Sequence, residues 1–201
     1  LHHAFGEMAG ITAVCALAFP THVQELRDQG FLNALKVFDV SQMSGLQGQS
    51  YYEGAYELAN DEALITEVKI PDSYKYWSII LTNELYETTD WYNNQSSLND
   101  TQGVVDSDGI FRTVISARDP GVHNWLDTAG YESGAVQGRW FGATATPNPN
   151  IRKVKLVDVR DHLPAANGGG FPILEMVKLA TAGQRVWSLS FSLLIMQLVL
   201  V

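Results

Sequence analysis

The chain has 201 residues, 46% of them hydrophobic and 17% charged, with a formal net charge of −9 and a single cysteine. The apolar share excludes wholesale disorder, and one cysteine excludes an intrachain disulfide framework or a cysteine-based zinc cluster. The acidic balance argues against nucleic acid, which needs clustered Lys and Arg, and against an anionic membrane surface.

The length suits one large domain, or one domain with a helical appendage. The chain starts at Leu1 rather than Met, so a processed product or a fragment is expected. Met8 to Phe19 is apolar and ends in Ala16-Leu17-Ala18, like a signal-peptidase site, but no basic region precedes it. It reads as a short core helix stopped by Pro20. Cys15 falls inside that helix, where a thiol is inert packing. Thr21 can then cap a second helix, expected over Val23 to Phe38.

From Tyr51 the pattern turns to period two. Tyr52, Gly54, Tyr56 and Leu58 alternate with Tyr51, Glu53, Ala55 and Glu57. A turn at Asn60-Asp61 precedes Ala63 to Ile70, where Leu64, Thr66, Val68 and Ile70 share one face. Pro71-Asp72-Ser73 is turn chemistry. Tyr76 to Asn83 is apolar nearly throughout, as a central strand would be. Gly103 to Val105 and Phe111 to Ala117 flank Asp106-Ser107-Asp108-Gly109, which reads as a hairpin loop. The same four residues match a piece of a calcium loop but lack its further ligands at the right spacing. Ala135 to Thr146 and Lys153 to Val159 add two more strands. Short strands with turn signals every 8–12 residues or so indicate an antiparallel sandwich or barrel. No βαβ alternation or phosphate-binding glycine loop occurs.

After a loop at Asn167-Gly168-Gly169-Gly170 comes Val186 to Val201, which carries no charge. It falls short of the roughly 20 apolar residues that a membrane-spanning helix wants. A buried terminal strand or helix is the first reading; a tail anchor or a partner-binding segment is the alternative.

Charge is uneven along the chain. Residues 51–100 hold ten acids against Lys69 and Lys75. Such a face can attract cations or a basic partner, or can simply keep the surface solvated.

Several segments occur in a set order: Asp61-Glu62-Ala63-Leu64-Ile65, Tyr76-Trp77-Ser78, Ser97-Leu98-Asn99, Asp119 through Thr128, and Arg139-Trp140. Within the fourth, Asn124-Trp125-Leu126 follows a Pro120-Gly121 turn. This order resembles the bacterial family called domain of unknown function 1214, over about residues 45–164. The resemblance implies a β-sandwich of jelly-roll type, usually the C-terminal portion of a longer protein. It implies no catalytic residues, because the family's activity is not established.

The densest polar cluster is Asp119, His123, Asn124 and Asp127. A carboxylate can orient a histidine ring and raise its basicity, so His123 with Asp119 or Asp127 could act as a general base. The alternative is a packed corner, with Asp119 closing the turn, Asn124 bonding backbone and Trp125 plugging the core. Arg139, beside Trp140, could bind an anionic ligand bidentately or pair with Asp119 or Asp127. Tyr51, Tyr52, Tyr74, Tyr76, Trp77, Tyr86, Trp91, Tyr92 and Tyr131 could stack on sugars, or could serve as core and rim. Asn94-Gln95-Ser96 and Asn99-Asp100-Thr101 fit the glycosylation sequon. No metal motif and no serine-hydrolase, zincin or β-lactamase signature appears, and the sequence specifies no cofactor.

These readings combine into a mainly β chain: a helical segment at 1–44, an antiparallel β-sandwich at 45–164, and a loop with an apolar tail at 165–201. The first expected function is a module that binds a polar or carbohydrate-like ligand through Arg139, Trp140, Asn124 and Trp91. The second is a hydrolase or lyase using His123 with Asp119 or Asp127. The third is a structural piece that packs on a further domain of the same protein or on a second copy of itself.

Overall fold

Among the described residues, nine strands form two stacked sheets. The computed structural model describes residues 21–39 and 47–164. The helix expected at Met8 to Phe19 (with Cys15), the glycine loop and the apolar tail lie outside the described residues. The strands are β1 Lys36–Asp39, β2 Gln49–Glu57, β3 Glu62–Lys69, β4 Tyr76–Thr82, β5 Ser97–Asn99, β6 Ile110–Ser116, β7 Trp125–Asp127, β8 Ser133–Phe141 and β9 Asn150–Lys155. A 3-10 helix follows at Leu156–His162. Sheet A has the order β1-β2-β8-β4-β5, and sheet B the order β7-β6-β3-β9. All pairings are antiparallel except β6 with β7, which is parallel.

Alternation decides what lies between the sheets. Sheet A turns Tyr52, Tyr56, Trp77, Ile79, Leu81, Leu98, Val136 and Trp140 inward. Sheet B answers with Leu64, Val68, Phe111, Ile115 and Leu126, and together they form one core. Burying each such side chain contributes about 1.5–3 kcal/mol before conformational entropy is charged against it. Gly138 makes room for Tyr52. A Cβ there would lie 1.8 Å from the Tyr52 ring, so only glycine lets that ring lie across β8.

Both sheets are also covered on parts of their outer faces. A helix over residues 21–28, here α1, sits on sheet A. Its Val23 and Leu26 pack on Ala55 and Ala135, which are register partners in β2 and β8. Two adjacent alanines leave a shallow seat for the larger helix side chains. On sheet B, Ala63, Ile65 and Val114 pack against Val159 of the 3-10 helix. Strand β3 is therefore buried on both faces.

The described structure corrects the helix expected over Val23 to Phe38. α1 stops at residue 28 because Gly30 adopts φ 85°, a left-handed cap. Phe31 N–H bonds Leu26 O at 2.8 Å and Gly30 N–H bonds Arg27 O at 2.9 Å, closing the last turn in a Schellman motif. The remainder turns and becomes β1, which lies N-terminal to the boundary expected at residue 45. Strand β8 ends at Phe141, short of Thr146, because Gly142 takes φ 56°. Strand β9 ends at Lys155, and Leu156 to Val159 belongs to the 3-10 helix rather than to a strand. Gly103 to Val105 contributes only the isolated bridge Val105–Phe111. The Asp106–Gly109 segment is the hairpin loop expected, with Gly109 N–H bonded to Asp106 O at 2.9 Å.

Candidate functional site

The corner at residues 119–127 lies at the edge of sheet B. Asp119 Oδ1 accepts the Gly121 N–H at 2.6 Å, and Asp127 Oδ1 accepts the Ala129 N–H at 2.8 Å. Each carboxylate thus closes a turn two residues ahead, as short polar side chains do. Burial pushes the Asp127 carboxyl above its ordinary range, and the nearby Asp119 charge pushes the same way. Asn124 is buried, and its amide is spent on backbone: Val104 N–H, Val104 O and Arg112 O. Trp125 is half-buried, with its indole N–H on Ser116 O at 3.1 Å. Leu126, not Trp125, plugs the core here, because alternation along β7 turns Trp125 and Asp127 outward.

His123 is exposed. With Arg112, Val114, Val122, Asn124 and Leu163 it lines an open depression with room for little more than one water molecule. One oxygen of each aspartate is taken up by the backbone N–H two residues ahead. A general base also needs space for a substrate, and this depression supplies little.

Arg139 does not join this corner. Its neighbours Gly138 and Trp140 turn inward, so Arg139 faces out from sheet A, while Asp127 faces out from sheet B. Both sheets stand between them. The expected pairing of Arg139 with Asp119 or Asp127 does not form among the described residues, and strand parity turns Arg139 away from Asp127. Trp140 is 1% exposed and packs in the core, out of reach of any surface ligand. Trp91 is half-buried in the loop between β4 and β5, edge-on to Tyr92 at 6.3 Å.

The outer face of sheet A carries a different assembly. Register places Phe38, Tyr51, Arg139, Ser78 and Asn99 in one row across all five strands. Phe38 stacks with Tyr51, centroids 5.7 Å apart. The Arg139 guanidinium lies 5.0 Å from the Tyr51 centroid. Among the described residues no hydrogen bond or ion pair reaches that guanidinium, which leaves its five donors for another partner. The next row is Lys36, Glu53, Gln137, Ile80 and Ser97.

Glu53 is the one charged side chain among the buried polar residues described, at 3% exposure. His22 Nε2 from α1 lies 3.0 Å from Glu53 Oε2, and the Tyr86 hydroxyl donates to the same oxygen at 3.3 Å. Lys36 Nζ stands 3.6 Å from the other oxygen. Gln137 Nε2 donates to the Tyr86 hydroxyl at 2.5 Å. Burial pushes the Tyr86 hydroxyl well up, and Glu53 adds to the shift. Tyr86 also holds φ 60°, a strained backbone for a bulky residue. This network was not legible as a site, because Glu53 sits at an outward, solvent-facing position of the period-two pattern. The signal that could have found it is Ala55, whose small side chain on that same face leaves space for a covering helix.

The hairpin acids serve Arg112. Its guanidinium binds Asp106, Asp108 at 2.8 Å and Glu67 at 2.8 Å. An arginine thus stands where a cation would have to sit, and among the described residues no group of three or more ligating side chains could hold a metal.

Comparison with known proteins adds a likeness of fold. No family model matches the chain, and no curated protein matches it. The solved structure of an uncharacterised protein from Burkholderia cenocepacia is similar at 31% identity and a TM-score of 0.64. The match covers 69% of this chain and 39% of that one. A protein from Vibrio parahaemolyticus is similar at 20% identity and a TM-score of 0.42, over 54% of this chain and 31% of that one. The chain thus spans well under half the length of both. No activity comes with the Burkholderia likeness, since that protein is itself uncharacterised.

Proposed function

We propose that the chain is a binding module whose ligand, polar or carbohydrate-like, lies on the outer face of sheet A. The observation that carries this reading is the Arg139 guanidinium. It is held over Tyr51 on a half-buried face and engages no carboxylate among the described residues. Half-buried arginines ordinarily find a partner, because a desolvated charge without one is costly. A flat guanidinium beside two stacked rings is a surface on which a planar or ring-shaped polar ligand can both stack and bond. Ser78 and Asn99 extend the row with further polar groups.

The reading includes the family and topology that the residues suggest. The module is a jelly-roll sandwich of the kind called domain of unknown function 1214, centred on about 45–164, and part of a larger bacterial protein. The coverage of only 39% of the similar Burkholderia protein supports the last of these points alone. The test is a glycan-binding screen on the full chain, followed by calorimetry on the hits. Tyr51→Ala and Arg139→Ala are expected to weaken binding about tenfold each, the worth of one charge-assisted or stacking contact. Asp119→Ala, at the other sheet, leaves affinity unchanged. Affinity lost with Asp119→Ala but kept with Arg139→Ala would overturn the assignment.

A further inference from the structure

We infer that the ligand of this face is an acidic saccharide, gripped at two anionic positions by Arg139 and Lys75. The inference rests on the reading of sheet A as the binding face. Register carries a further row past Arg139: Gln49, Phe141 and Tyr76. Lys75 Nζ lies 5.6 Å from the Phe141 centroid. Phe141 and Arg139 are two residues apart on β8 and face the same way, about 7 Å along the strand. The face thus holds two cation-on-ring pairs side by side: Arg139 with Tyr51, and Lys75 with Phe141.

Neither cation has an ion pair among the described residues. Lys36, on the same sheet, shows the ordinary alternative, standing 3.6 Å from Glu53 and bonding Gln29 at 2.8 Å. In a chain of net charge −9, two neighbouring cations without acids form a local positive patch. A ring takes the apolar side of a sugar, and the adjoining cation takes its carboxylate. Nucleic acid fits less well. A duplex presents one charge per roughly 1.7 Å, far denser than two cations can match against an acidic background. A uronic-acid chain carries one carboxylate per ring, which suits one cation per aromatic.

The test is calorimetric titration of the full chain with tetragalacturonate and with its fully methyl-esterified form. The acid is expected to bind at least about tenfold more tightly. Arg139→Gln and Lys75→Gln should each lower acid affinity several-fold and ester affinity by clearly less, with thermal melts and far-UV circular dichroism reporting that both variants are folded. Equal affinity for acid and ester would overturn the inference while leaving a neutral-sugar face standing. Failure of both probes to bind would sink the inference and count against the carbohydrate reading on which it rests. An acid preference that survives both substitutions would place the anion elsewhere and overturn it. A short oligodeoxynucleotide binding as tightly as the acid would overturn it too.

Discussion

His22 and Glu53 join α1 to the middle of sheet A: the imidazole Nε2 is 3.0 Å from a carboxylate that is almost wholly buried. Arg27 of the same helix pairs with Glu84 just after β4, so these two contacts and the alanine seat set where α1 sits. A buried carboxylate stripped of its partners is expensive, and so are partners stripped of their carboxylate.

Glu53→Ala is therefore expected to cost about 2–4 kcal/mol in denaturant melts, since His22, Lys36 and Tyr86 all lose their acceptor. Glu53→Gln keeps an acceptor oxygen and should cost less. Hydrogen exchange is expected to rise first in α1. A loss below about 0.5 kcal/mol for the alanine variant would show that the network contributes nothing to stability.

Trp140 and Trp125 should separate cleanly. Trp140→Ala removes a core ring and is expected to cost about 3–5 kcal/mol. Trp125 is half-buried with one hydrogen bond, so Trp125→Ala should cost about 1–2 kcal/mol. Urea melts of the two variants check the order; a reversed order would contradict the outward turn of Trp125.

Glu62 supplies an acid-side dependence. Lys153 Nζ, 2.6 Å away, holds its carboxyl down at about 2. A depressed carboxylate adds stability that is present above its unfolded pKa, near 4.3, and lost as pH falls through the folded value. Lys153→Met is expected to lower the melting temperature at pH 6. The difference from wild type should shrink steadily as pH falls from about 4.5 toward 2. A constant difference across that range would show that the pair is not the cause.

Asp127 works in the opposite sense. Its carboxyl is raised by burial and by Asp119, so ionising it opposes folding. The stability it contributes is full below the unfolded pKa and is lost as pH rises through the folded one. Asp127→Asn keeps an oxygen for the Ala129 N–H and removes the charge. It should raise the melting temperature at pH 7 and give no advantage at pH 3. Thermal melts at those two values decide.

Much of the sandwich was legible because period two is a direct consequence of a half-buried sheet. Tyr52, Tyr56 and Leu58 face the core as the alternation required, and so do Leu64 and Val68. Three short strands were not legible. Trp125–Asp127 and Ser97–Asn99 hold three residues each, too few to show a period. Lys36–Asp39 continued a helical-looking run, and only Gly30 marks the break. The corner was half legible. The turn chemistry of Asp119 and the backbone role of Asn124 follow from residue type. That Arg139 faces the opposite way follows from strand parity, which needs the sheet assignment of β7 and β8 and cannot be had from spacing alone.

Strand β9 is the outermost described strand of sheet B, and it displays Arg152, Lys153 and Lys155. An unpaired strand edge is a template on which another copy can add a strand and start a fibre. Here a second copy docking through its own β9 would set two triads of cations against each other. The pairs to Asp61, Glu62 and Glu67 soften that repulsion without removing it, because they lie toward β3. The edge thus guards itself against self-templating by charge. The guard should weaken as salt screens it, so self-association through this six-residue strand is expected to rise with ionic strength.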